Sequence, residues 1–192
     1  MSGSTTNGDF VKVLHLGSGR KHIAPVVQGD LVEVISLDQD AEVKPDIVCC
    51  LGKDLIPLPD ESLDAAVAIH VLEHIGKQGE TTEWFQFWEE LYRVLKPDAT
   101  LEFVSPWWNS VWAWSDPTHV RIISAESLYF LNQENYSIAG SPISPFHIHC
   151  DFVLTHSQEV RQAPGEPVVN FLGVLTARKP LRPWWEHKTV IV

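Results

Sequence analysis

The chain has 192 residues, 44% of them hydrophobic and 20% charged, and carries a formal net charge of −11. That length suits one domain with a sizeable core. The charge counts against nucleic acid, whose phosphates are bound by clustered Lys and Arg, and no apolar run has the length of a membrane span.

The polar opening, residues 1–10, has no secretory layout and reads as a flexible lead-in, so the expected location is cytoplasmic. Three cysteines, two of them adjacent at Cys49 and Cys50, have no disulfide-like spacing and fit a reducing compartment. Val11 to Leu16 form an apolar run that stops at Gly17-Ser18-Gly19, a strand entering a tight turn. A second run, Leu31 to Leu37, ends in Asp38. A glycine turn followed by a carboxylate at the tip of the next strand is how a doubly wound sheet holds an adenosine-bearing cofactor. The spacing is not a full G-x-G-x-x-G: the third glycine falls on Ala24 counted from Gly19, or in Arg20-Lys21-His22 counted from Gly17.

Residues 46–51 read as a short third strand. The link before it, 39–45, is too short for a helical crossover, so either a bare loop passes over the sheet edge or the strand boundaries differ. A proline-rich turn, 56–62, leads to a fourth buried strand, 63–69, which ends at His70-Val71-Leu72-Glu73-His74. From about 81 to 95, Trp84, Phe85, Trp88, Leu91, Tyr92 and Leu95 share one helical face, and Lys96-Pro97 closes the helix. A fifth strand at 99–105 precedes a long aromatic loop, 106–120, and Ser124 is a candidate N-cap for a further helix. Two runs, 151–160 and 167–177, flank Pro164-Gly165 and predict an antiparallel hairpin. The expected fold is α/β, doubly wound and mostly parallel, with an antiparallel C-terminal edge. Its domain spans 11–180, and 181–192 form a tail.

Four segments together resemble the class I S-adenosylmethionine-dependent methyltransferases of the type 11 kind. They are Leu14-His15-Leu16-Gly17-Ser18-Gly19, Leu37-Asp38, Leu58-Pro59-Asp60-Glu61-Ser62-Leu63-Asp64 leading to His70-Val71-Leu72-Glu73-His74, and Leu91-Tyr92-Arg93-Val94-Leu95-Lys96-Pro97. The resemblance implies a seven-stranded Rossmann-like methyltransferase sheet with one reversed strand, and S-adenosylmethionine as cofactor. It also implies roles. Leu16, Gly17, Ser18 and Gly19 would pass under the methionine half, Asp38 would take the ribose hydroxyls, Cys50 and Leu51 would edge the adenine, and His70 would lie by the methionine amino end. Three positions depart from the family: His15 where many members have an acid, Lys21 where many have a third glycine, and Cys50 where an acid often meets the adenine amino group.

The acceptor side is read from the residues that follow the fourth and fifth strands. His119 is the first candidate for general base and His74 the second, because histidine titrates nearest neutrality. Arg121 is a candidate clamp for a carboxylate or phosphate, and Trp107 and Trp108 are candidate walls of an acceptor pocket. The expected activity is methyl transfer to a small metabolite, anionic or sugar-like, with no metal. Arg121 and His119 pinning their own loop is the structural alternative. Three rivals stand beside this reading. His70-Val71-Leu72-Glu73-His74 fits H-x-x-E-H, a zinc hydrolase signature; a nicotinamide oxidoreductase would use the same glycine turn; and a non-catalytic interaction protein would suit the departures at His15, Lys21 and Cys50. His147 and His149 share a strand face and could pair on a metal.

Overall fold

The computed structural model describes residues 10–20, 32–138 and 146–186. Lys21, His22 and Ala24, which bear on the third-glycine question, lie outside them, as do residues 1–9 of the lead-in and 187–192 of the tail. Strands β1 (Val11–Leu16), β2 (Val32–Asp38), β3 (Ile47–Val48), β4 (Leu63–Ile69), β5 (Leu95–Pro106), β6 (Phe152–Arg161) and β7 (Val168–Ala177) form one seven-stranded sheet in the order β3-β2-β1-β4-β5-β7-β6. The first five strands run parallel, and β7 lies antiparallel between β5 and β6. The expected hairpin and reversed strand are therefore present.

The order steps outward from β1 through β2 to β3, then returns to β4 on the other side of β1. Adjacent connections diverge there, so a crevice opens past the carboxyl ends of β1 and β4. It is this return that brings the Gly17 turn and His70 to one rim.

The link from β2 to β3 is a bare loop with a single 3-10 turn, Ala41–Val43. The Asp40 carboxylate caps it by accepting from the Glu42 amide, and Lys44 closes it in a left-handed conformation, φ 55°. Only Ile47 and Val48 pair as β3, a shorter strand than the apolar run suggests. Beyond them the Cys50 amide turns to the Asp54 carboxylate at 2.8 Å, which ends the ladder.

Helix α1 (Thr82–Val94) buries Trp84, Phe87, Trp88, Leu91, Tyr92 and Val94. Phe85 is only partly buried, and Leu95 is the first residue of β5, opposite Leu63. Lys96-Pro97 thus stops the helix but lies inside the strand, beside a register shift between Leu63 and Ala65. The segment opened by Ser124 is a pair of 3-10 stretches, Glu126–Leu131 and Gln133–Ser137, not an α-helix. Ser124 Oγ does accept from the Ser127 amide, while Ser127 Oγ donates back to the Ser124 carbonyl; this reciprocal pair closes a three-residue turn.

Arg93 ties α1 to the proline-rich turn. It donates to the carbonyls of Ile56 and Leu58 and to the carboxylates of Asp60 and Glu90, and Glu90 also accepts from the Ile56 amide. Hydrogen bonding to Arg93 holds the Glu90 carboxyl below its usual range. A depressed carboxyl stabilises the fold above its unfolded pKa, and that contribution is lost as the pH falls through the lower folded value. Glu90→Gln is expected to cost about 1–3 kcal/mol at neutral pH and to flatten the decline of stability below pH ~4. Chemical denaturation across the acid range measures both.

Candidate cofactor and acceptor clefts

Gly17 ends β1 with φ +56°, and a Cβ built on it would lie 2.5 Å from Val71 Cγ2. The turn can pass beneath the crevice because there is no side chain there. The Ser18 amide donates to the Leu37 carbonyl at 3.0 Å, fixing the turn against β2. Asp38, at the tip of β2, accepts from the Gly19 amide through Oδ2 at 2.8 Å and from the Asp40 amide through Oδ1 at 2.9 Å. Each carboxylate oxygen has a second lone pair, so Asp38 can brace the turn and still accept from a ligand.

Past these tips lies a cleft of about 460 Å³ lined by Gly17, Asp38, Leu51, His70 and His74, together with Leu37, Gln39, Cys49, Val71, Ile75 and Thr118. Of the expected cofactor residues, Leu16, Ser18, Gly19 and Cys50 do not line it. Leu16 is fully buried in the sheet and Ser18 is 4% exposed. Cys49, not Cys50, faces the cleft; burial pushes its thiol up to about 11, so it is a neutral wall. Cys50 instead points its sulfur at Gln39 Oε1, 3.6 Å away. Gln39 itself was missed, although its place directly after the strand-tip acid was a usable signal.

The cleft fits S-adenosylmethionine on two observations. The glycine cradle would be filled by a Cβ, and the Asp38 oxygens keep acceptor capacity.

His70 follows β4 with φ 55°, a conformation that L residues adopt at a cost. Its Nδ1 lies 3.1 Å from Glu73 Oε1, and this contact raises the His70 pKa. Glu73 is 2% exposed; its Oε2 accepts from Ser105 Oγ at 3.0 Å, and its backbone carbonyl accepts from the amides of Val120 and Arg121. Glu73 thereby fastens the 118–121 segment over the strand ends. His74 Nδ1 meets the Thr118 carbonyl at 3.1 Å, and the His74 and His119 rings pack edge to face with centroids 4.8 Å apart.

A second cleft, about 640 Å³, shares His70 and His74 with the first and is completed by Pro106, Trp112, Ser115, Asp116, Pro117, His119, Gln162, Val169 and Asn170. Both candidate bases thus line it. The candidate clamp and the candidate walls do not. Arg121 sends Nε to the Ile75 carbonyl and Nη2 to the carbonyls of Lys77 and Glu80, with its guanidinium 4.3 Å above the Trp84 ring. It pins its own loop, because a half-buried guanidinium must satisfy its donors where it lies. Trp107 packs on Phe171 and Trp108, away from the cleft. Trp112, carried by the short helix α2 (Trp112–Ser115), supplies the aromatic wall instead.

The zinc hydrolase arrangement is not formed, since Leu72–His74 is a 3-10 turn and the donor atoms that gather there belong to Glu73, His74 and His119, not to His70. His147 and His149 pack against Trp185, and they belong to no cluster of three metal-ligating residues among the described residues. Among the described residues no helix is long and apolar enough to cross a membrane.

A family model described as a methyltransferase domain matches residues 11–103. Solved structures share the fold. An S-adenosylmethionine-dependent methyltransferase from Archaeoglobus fulgidus is 16% identical, with 88% of this chain and 87% of that chain covered and a TM-score of 0.57. One from Aquifex aeolicus is 19% identical, with 86% and 81% covered and a TM-score of 0.57. A Burkholderia thailandensis N1-methyltransferase, solved with 1,6-didemethyltoxoflavin and S-adenosylhomocysteine, is 15% identical, with 89% and 72% covered and a TM-score of 0.53. No curated protein matches the sequence.

Proposed function

We propose that this chain, whose residues 11–103 match a methyltransferase domain and whose fold is that of S-adenosylmethionine-dependent methyltransferases, transfers a methyl group to a hydroxyl of a small, neutral, sugar-like metabolite held in the second cleft. One observation carries this reading: the two clefts meet at His70 and His74, so a ligand in each would present its reactive group across a shared wall. When bound, the cofactor supplies an electrophilic methyl on a sulfonium, which needs little protein chemistry beyond alignment.

The chain's own residues do the rest. Gly17 leaves room for the methionine half and Asp38 takes the ribose hydroxyls of the nucleoside. Trp112 offers an apolar face, and Asp116, Gln162 and Asn170 offer hydrogen-bonding groups, a mixture that suits a ring bearing hydroxyls. Because Arg121 is committed to carbonyls, the lining holds no Lys or Arg for an anion, and the acceptor is drawn as neutral. His119 takes the hydroxyl proton. The oxygen so freed would accept the methyl group supplied by the bound cofactor, whose sulfur would keep the electron pair. The side chain of His119 is 9% exposed at the cleft wall.

His119→Ala is expected to leave S-adenosylhomocysteine affinity within a factor of ~2 and to lower turnover by about 100- to 10,000-fold, the range of general-base contributions. Calorimetry and a hydroxylated-metabolite panel scored by methyl incorporation measure the two quantities. Unchanged turnover on the true acceptor would remove His119 from this role.

A further inference from the structure

The geometry points to a binding site for one divalent transition-metal ion of zinc's class, held by Glu73, His74 and His119 at the wall between the two clefts. One donor atom from each of the three residues lies within 4.8 Å of the others. The set is two imidazoles and one carboxylate, the donor combination of open catalytic zinc sites, which leave a position for a further oxygen ligand.

The contacts of each residue leave a donor atom for an ion. His74 Nδ1 lies against the Thr118 carbonyl, a contact only an N–H can make, so Nε2 is the ring atom with a lone pair. His119 Nδ1 is buried with no hydrogen-bond partner, on a side chain only 9% exposed, while its Nε2 lies 3.9 Å from the Asp116 carboxylate. The buried, unpartnered Nδ1 is the nitrogen that an ion at this wall would satisfy. Glu73 is a buried carboxylate aimed by two partners, His70 Nδ1 and Ser105 Oγ. Both oxygens keep a lone pair for a further ligand. Nitrogen donors select zinc-like metals over Mg²⁺ or Ca²⁺.

The role of such an ion rests on the reading of the second cleft as the acceptor site. A Lewis acid there lowers the pKa of a bound hydroxyl. The hydroxyl proton then leaves to solvent, the oxygen bonds to the methyl carbon, and the sulfur keeps the electron pair of the broken bond. In the metal-loaded protein His74 and His119 would act as ligands, and the ion would take over the proton-releasing role that His119 fills as a free base without it.

Protein stripped with a chelator is titrated with Co²⁺ and then with Zn²⁺. A single equivalent of Co²⁺ is expected to give visible d–d absorption, Zn²⁺ to abolish it, and both ions to raise the unfolding temperature. His74→Gln and His119→Gln are each expected to weaken Co²⁺ binding by at least the ~10–100-fold that losing even a second-shell partner costs. His156→Gln, on the exposed face of β6, should leave binding unchanged. Circular dichroism confirms that each variant folds. A titration without a saturating band, or a band that survives both substitutions or fails with His156→Gln, overturns the site. Calorimetry with S-adenosylhomocysteine separates the two readings. Cofactor binding without metal binding overturns the metal site alone, whereas metal binding without cofactor binding overturns the methyltransferase cleft.

Discussion

Asp38→Ala is expected to weaken S-adenosylhomocysteine binding by about 10- to 100-fold, the cost of losing hydrogen bonds to a charged acceptor. The carboxylate holds two kinds of group at once. It accepts from the amides of Gly19 and Asp40 in the protein, and its remaining lone pairs face the first cleft. Removing it therefore takes a partner from the ligand and loosens the glycine turn on which the ligand lies. Asp38→Asn separates the two contributions. Its amide oxygen can still accept from Gly19, so most of the stability should return, while affinity recovers only in part because the charge is gone. Calorimetry gives the affinities and denaturant unfolding the stabilities. Equal affinity in wild type and Asp38→Ala would remove Asp38 from the binding site.

Gly17→Ala is expected to destabilise the fold by about 1–2 kcal/mol for a left-handed non-glycine residue, with about 1–3 kcal/mol more for overpacking. The second cost has a named source. The new Cβ would stand 2.5 Å from Val71 Cγ2, and valine is stiff about χ1 and cannot swing aside. For a chain of this size each kcal/mol lowers Tm by about 2–4 °C, so the fall should be about 4–20 °C. Gly19→Ala is the matched comparison: its φ is also +56°, but its Cβ would meet nothing within 4 Å. It should show the conformational cost alone. If the two variants unfold together, the close approach of Gly17 to Val71 is not what fixes the turn. Val71 lines the same cleft, so the displaced side chain would also reduce cofactor affinity in Gly17→Ala more than in Gly19→Ala.

That the Gly17 turn and Asp38 lie side by side was legible because it is local. Gly17 and Asp38 sit at the tips of two strands whose apolar runs end visibly, and parallel pairing places Leu16 opposite Leu37. Cys49 and Cys50 were harder. They follow a strand of two residues, and the turn toward Asp54 decides which sulfur meets the cleft. The acceptor end was legible only as residue types. His74 and His119 are 45 positions apart, and their contact depends on the Glu73 carbonyl gripping the amides of Val120 and Arg121. Arg121 looked like an anion clamp because its donors are strong, but those donors had closer carbonyls to satisfy. Trp112 replaced Trp107 and Trp108 because α2 turns it toward the cleft, whereas Trp107 faces Phe171.

What the sequence determined by itself was the alternation of strands, the glycine turn, the strand-tip acid and the final antiparallel pair. Each of these depends on hydrophobic periodicity or backbone freedom within a few residues. The tertiary structure alone decided which side chains share a wall. That outcome depends on the β1–β4 return and on where buried polar groups such as Glu73 find partners, and both are set by contacts between residues far apart in the chain.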